Sequence, residues 1–161
     1  GAGFCLALAA DFVLCSDRAK FCAAFARIGL VPDLGGLFLL PRVVGLQRAK
    51  EIFFTGRVVG VAEAQTLGIA LEVHPQAELM ERALEFAGRF RDASTRALGM
   101  AKGILNHSFE LDQRTLAEQE SYAQAICIET EYHQQAVQRF LNKEKTLFDW
   151  DTAAKQARSS E

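Results

Sequence analysis

The sequence lacks a large field of charge of either sign. Its 18 Lys and Arg stand against 20 Asp and Glu, a formal net charge of −2, with no basic stripe to mark a nucleic-acid module and no acidic block to mark a tail. No uninterrupted apolar run reaches the ~18 residues a membrane-spanning helix needs, so no span is expected. The opening stretch, Gly1-Ala2-Gly3-Phe4-Cys5-Leu6-Ala7-Leu8, is apolar but lacks the basic lead of a secretory signal. Internal repeats and low-complexity tracts are absent. The four cysteines at 5, 15, 22 and 127 form no C-x-x-C pair, and they sit in apolar surroundings that suit reduced thiols used as small hydrophobes. The three histidines, at 74, 107 and 133, are scattered, and none stands at ligand spacing from a cysteine, so no metal site is expected. A reduced, cytoplasmic location is the expectation.

What is present is a chain of 161 residues, 50 % apolar and 24 % charged, enough to bury one real core. Residues 1–10 have helical character, Phe12-Val13-Leu14-Cys15 reads as a short buried strand, and Lys20-Phe21-Cys22-Ala23 reads as a second. Residues 29–36, with Pro32 and the Gly35-Gly36 pair, form a loop. Pro41 and Gly45 interrupt the apolar stretch that follows. Helices are expected over 46–54, stopping at Gly56, and over 61–67, stopping at Gly68. A short strand is expected within 69–73, and helices over 77–90, 95–109, 114–129 (capped by Asp112) and 133–141. The few strands make too small a sheet to close by themselves. That feature, with a start inside an apolar Gly-bearing segment and no initiator Met, leads us to expect the C-terminal part of a longer protein.

Two places invite chemistry. The first is Gly1-Ala2-Gly3 leading into a helix, where unpaired backbone N–H groups and small side chains suit an anion or a developing enolate. A tight turn that merely packs explains the same residues. The second is Asp33 in Pro32-Asp33-Leu34-Gly35-Gly36. A carboxylate between apolar segments becomes a stronger base if it is partly desolvated, and the same residue also suits a plain helix N-cap. Lys20 and Arg27 read either as phosphate contacts or as solvated charges. His133 has no Ser or Cys in a nucleophile setting beside it, and Lys143-Glu144-Lys145 reads as a solvated helix end.

The run from Gly1 to Asp11, GAGFCLALAAD, resembles the GAG-x-x-LALA-x-D signature of the enoyl-CoA hydratase/isomerase (crotonase) superfamily. The resemblance continues through Ala19-Lys20-Phe21 and Arg27-Ile28-Gly29-Leu30-Val31-Pro32-Asp33-Leu34-Gly35-Gly36. Further blocks are Leu40-Pro41-Arg42-Val43-Val44-Gly45, Ala49-Lys50-Glu51, Phe54-Thr55-Gly56-Arg57, Glu63-Ala64 and Leu67-Gly68-Ile69-Ala70. Their order and spacing cover nearly the whole chain, the last third by pattern more than by motif.

The resemblance implies an α/β fold: the C-terminal part of a crotonase-like ββα spiral over residues 1–93, then trailing helices over 94–161 that support a homotrimer or hexamer. It implies an enzyme that takes an acyl-CoA substrate, with no cofactor beyond the coenzyme A the substrate carries. The thioester enolate would rest on two backbone N–H groups. By position Ala2 supplies one; the other belongs to an earlier segment that this sequence does not contain. Gly1, Gly3, Phe25, Leu34 and Gly35 would line the substrate site. The positions aligned with the two glutamates of the hydratases are Cys5 and Phe25, so hydration is disfavoured. Asp33 matches the aspartate of the dienoyl-CoA isomerases and of the ring-epoxide isomerases of phenylacetate degradation, and Phe-Ala-Arg-Ile-Gly-Leu-Val-Pro-Asp is most similar to the latter. The expectation is an isomerase moving a proton with Asp33, its basicity raised by a dry pocket beside Phe25. The alternatives are a hydratase, or a non-catalytic fragment that keeps only acyl-CoA binding or the oligomerising helices.

Overall fold

A computed structural model describes residues 1–151, which divide between two compact units, Gly1–Leu84 and the residues from Glu85 on. In the second, the Phe86 and Phe90 rings pack edge-on and tilted against Trp150, 5.6 and 5.1 Å between centroids. Phe86 lies in the last turn of the helix Leu79–Gly88, and Phe90 just beyond it.

In the first unit, α1 (Ala2–Leu8) leads to β1 (Leu14–Ser16) and β2 (Lys20–Cys22). A single 3-10 helix follows (Ala24–Ile28), then α2 (Gly36–Val44), α3 (Leu46–Thr55), β3 (Val58–Gly60), α4 (Val61–Thr66) and β4 (Glu72–His74). β1 pairs with β4 in parallel, Cys15 opposite Val73, and β2 pairs with β3 antiparallel, Phe21 opposite Val59. Each pair is only two strands wide, so the unit is held by its apolar interior rather than by its ladders. Leu40, Ile52, Val59 and Cys5 are fully buried at its centre, joined by Phe4, Leu8, Phe21, Phe25 and Phe53. Phe4 of α1 meets Phe21 of β2 with ring centroids 5.4 Å apart.

The helix stops fall where glycine allows a left-handed backbone. Gly56 ends α3 at φ 57° and Gly68 follows α4 at φ 76°, conformations that cost a side-chain-bearing residue about 1 kcal/mol. Pro41 does not break the helix as expected: α2 runs through it. The missing N–H leaves one carbonyl without its usual donor, and burial of Gly36 and Leu40 on the core holds the helix together around it. Arg57 ties α3 to α4 with a double fork. Its guanidinium reaches the Glu51 carboxylate at 2.5 and 2.9 Å and the Glu63 carboxylate at 2.6 and 2.8 Å. This pairing holds both carboxyls below the usual range and the arginine above its own.

α5 (Leu79–Gly88) crosses the division, and the second unit continues with α6 (Thr95–Asn106), α7 (Gln113–Ile128) and α8 (Glu131–Leu141). Each of the last three starts at a side-chain cap. Ser94 accepts from the Ala97 N–H, Asp112 from Thr115 and Thr130 from His133. None of the three helices has a buried residue, and many of their apolar side chains, among them Leu105, Tyr122, Phe140 and Leu141, are exposed. No helix among the described residues is long and apolar enough to cross a membrane.

Candidate functional site

The start of α1 supplies the first half of the site. Ala, Leu and Phe favour the helix, and Gly1, at its N-cap, has no side chain to satisfy the first amides. The Phe4 N–H turns back to the Gly1 carbonyl at 3.0 Å. The Ala2 and Gly3 N–H groups, by contrast, have no acceptor among the described residues, as the geometry of a helix start dictates. Ala2 is exposed, and a Cβ built on Gly1 or Gly3 would meet nothing within 4 Å, so the face above these amides is open. The Gly1 nitrogen donates to the Cys22 carbonyl and ties the helix start to β2.

The second half is the turn before α2. Gly29 ends the 3-10 helix at φ 73°, and the Leu30 N–H returns to the Phe25 carbonyl at 3.0 Å. Past Pro32 the chain reverses over Asp33-Leu34-Gly35-Gly36, with the Gly36 N–H donating to the Asp33 carbonyl at 2.9 Å. Both central residues have positive φ, Leu34 at 49° and Gly35 at 77°. Glycine adopts that backbone freely, whereas leucine strains into it.

The structure corrects the N-cap role expected for Asp33. The capping position is Gly35, and no side chain caps α2; the carbonyl of Asp33, not its carboxylate, closes the turn. The carboxylate is left exposed. The desolvation expected from Phe25 is not found either. Phe25 is buried among the core side chains, where the 3-10 turn directs its ring, while Asp33 faces water.

The two halves meet at Cys5. Gly36, the first residue of α2, is buried against it: a Cβ on Gly36 would lie 2.4 Å from the Cys5 Sγ. Burial pushes the thiol of Cys5 up, and the Asp33 carboxylate adds to the rise. The carboxylate on the Asp33 turn thus acts on the buried atom at which the two halves touch. Ala2, Gly1, Gly3, Asp33, Leu34 and Gly35 belong to these two neighbouring segments, and Phe25 lies beneath in the core. The Gly36–Cys5 contact was hinted at only by the Gly-Gly pair, which permits close backbone approach.

The remaining candidates lie elsewhere. Lys20 is exposed on β2, and the exposed Arg27 lies across Gly56, its Cγ 3.4 Å from where a Cβ would stand. His133 is exposed on α8, and Lys143 and Lys145 are exposed beyond it. All four cysteines are free. Among the described residues, no group of three or more His, Cys, Asp or Glu is arranged to hold a metal ion.

Comparison with known proteins bears on the family and the fold. The family model described as "Enoyl-CoA hydratase/isomerase" matches residues 1–152. A carnitinyl-CoA dehydratase of Escherichia coli K12 is 40 % identical over 111 residues, covering 69 % of this chain and 42 % of that protein. Among solved structures, an enoyl-CoA hydratase/isomerase from Cupriavidus metallidurans CH34 superposes with a TM-score of 0.88 at 45 % identity, over 92 % of this chain and 56 % of its own. A putative enoyl-CoA hydratase from Thermobifida fusca YX, solved with acetoacetyl-CoA, reaches a TM-score of 0.76 at 35 % identity, over 80 % of this chain and 50 % of its own. The chain spans about half the length of these relatives. The fold is the crotonase fold with its trailing helices, and the chain belongs to the enoyl-CoA hydratase/isomerase family.

Proposed function

We propose that the protein carrying this chain is an acyl-CoA isomerase that moves a proton along the acyl chain with Asp33 as its one acid–base group. The observation that carries the reading is what stands where hydratases hold two glutamates. Cys5 and Phe25 are both buried in the apolar core, and neither has a carboxylate to activate water or deliver a proton. Asp33 is the carboxylate on the turn that packs against α1. In the proposed reaction Asp33 takes the proton at C2 of a 3-enoyl-CoA. The electron pair delocalises onto the thioester oxygen, which the Ala2 N–H receives together with a second amide from an earlier segment. The proton returns at C4 as the double bond moves to C2. No water is consumed, so one carboxylate suffices. An acyl chain laid over the exposed turn would strip water from Asp33 and strengthen it as a base.

Gly1, Gly3, Leu34 and Gly35 flank the same opening and, with Phe25 beneath them, are the proposed substrate contacts. The reading needs no cofactor beyond the coenzyme A of the substrate, and a cytoplasmic location belongs to it. The apolar faces of α6 to α8 are exposed, which supports association into a homotrimer or hexamer.

Similarity to carnitinyl-CoA dehydratases supports a second reading, hydration or dehydration of the acyl-CoA with groups from another segment. Parallel assays of 3-enoyl-CoA isomerisation and crotonyl-CoA hydration separate the two. Asp33→Asn is expected to lower isomerisation by on the order of 10²–10⁴-fold while binding of a saturated acyl-CoA is kept. Undiminished turnover in Asp33→Asn sinks the assignment, and hydration exceeding isomerisation favours the second reading.

A further inference from the structure

Cys5 stands where α1 touches the turn that carries Asp33. Its side chain is fully buried, and α2 begins directly upon it. A Cβ on Gly36 would lie 2.4 Å from the Cys5 Sγ and 3.3 Å from its Cβ, with the Phe53 ring at 3.6 Å. Such a separation is far inside van der Waals contact, so only glycine lets α2 start this close to α1. Both sides of the contact are firmly connected to the candidate site. The Gly36 N–H holds the Asp33 carbonyl at 2.9 Å, so Gly36 cannot shift without Asp33. Cys5 lies within the same short helix as Ala2 and Gly3. Burial keeps the thiol protonated at neutral pH, and a buried neutral thiol is neither a nucleophile nor a base. What it contributes is its size.

We infer that Cys5 is a positioning residue: seated on Gly36, its side chain sets the spacing between the amide donors at the start of α1 and the Asp33 turn. The inference deepens the isomerase reading and rests on it for its catalytic consequence, while the packing claim stands on the contact itself. A base and an oxyanion donor that grip one acyl group must keep their separation, and a displacement of about 1 Å costs on the order of 100-fold in rate.

The test is a mutant cycle of Gly36→Ala, Cys5→Ala and the pair together, with Cys5→Ser as the conservative control, in the protein that carries this chain. Gly36→Ala is expected to lower kcat for a 3-enoyl-CoA by roughly 10- to 100-fold, with KM changed by less than about threefold. The pair regains most of that loss, because the methyl at 36 enters the space the thiol leaves, and Cys5→Ser stays within about threefold of the parent. An unchanged kcat in folded Gly36→Ala overturns the inference, as does a pair no better than the product of its single changes.

If Gly36→Ala does not fold, Cys5→Ala carries the test, since the gap lets the turn settle and kcat falls while serine restores it; equal kcat for Ala, Ser and Cys overturns the inference. If the parent itself does not turn over a 3-enoyl-CoA, the isomerase reading fails, and the amide resonances of Asp33, Leu34 and Gly35 decide the packing claim. They are expected to move in Gly36→Ala, or in Cys5→Ala where that variant does not fold, and to return toward the parent in the pair or in Cys5→Ser. Resonances that stay still overturn it.

Discussion

The two units of this chain solve the folding problem differently. The first wraps five short helical segments and four three-residue strands around a shared interior, with Leu40, Ile52, Val59 and Cys5 removed from water. The second has better helices by local criteria, longer and each opened by a capping side chain, yet α6, α7 and α8 bury nothing completely. Local helix signals and core formation are thus separable. The unit with the weaker local signals holds the buried core, and the unit with the stronger ones leaves its apolar faces open. The candidate site lies in the first, where packing, not capping, fixes the backbone.

That contrast predicts a difference in what truncation does. Ile52→Ala removes a fully buried side chain and is expected to destabilise the first unit by about 2–5 kcal/mol, read as a lower urea midpoint. Leu105 is exposed to 67 %, so Leu105→Ala in dilute protein is expected to change stability by no more than about 0.5 kcal/mol. If association covers the trailing helices, the parent's Tm rises with concentration and Leu105→Ala weakens that dependence. Equal destabilisation by the two changes in dilute protein would erase the distinction between the units.

Acid sharpens the comparison on the first unit alone. The Arg57 guanidinium holds the Glu51 and Glu63 carboxyls below their ordinary value of 4.5. Around that pH the unfolded chain therefore binds more protons than the folded one. The stability contributed by this fork is complete above pH 4.5 and drains away as pH falls through the depressed folded values. Both carboxylates are about a third exposed, so salt should blunt the effect. Arg57→Met is expected to flatten the decline in urea midpoint between about pH 5 and pH 3. A decline as steep as the parent's would show that the fork contributes nothing to acid stability.

Much of this architecture is legible in the residues, and the exceptions share a cause. Gly56 and Gly68 announce the ends of α3 and α4, and Asp112 announces the start of α7, because each acts within its own turn. The 3-10 helix at Ala24–Ile28 and the strand Val58–Gly60 escaped the sequence reading. A strand of three residues is too short to show a period, and the 3-10 turn forms where Phe25 enters a core built from distant segments. Asp33 looked like a cap because it precedes an apolar run. The turn instead uses its carbonyl, placed there by Leu34 and Gly35 at positive φ, and no local rule requires leucine to adopt that backbone. For the candidate site, only the proposed residues were legible, through the family resemblance. The closeness of α1 and α2 was not, since it depends on one thiol meeting one glycine across the fold.

The smallest effect probes the second unit where its local signals are strongest. Ser94 accepts from the Ala97 N–H at 3.3 Å, satisfying one of the amides that the first turn of α6 leaves unpaired. Ser94→Ala removes that acceptor and is expected to cost about 1 kcal/mol, while Ser94→Gly, which keeps the N-cap backbone accessible to water, costs a few tenths. Hydrogen exchange at the α6 amides is the appropriate measurement, because local opening registers there even if global unfolding does not change. In Ser94→Ala protection should fall at the first turn of α6 and stay unchanged across β1 to β4. A loss that spreads evenly through both units would mean that they open as one cooperative body, and capping in the second would then bear on the stability of the first.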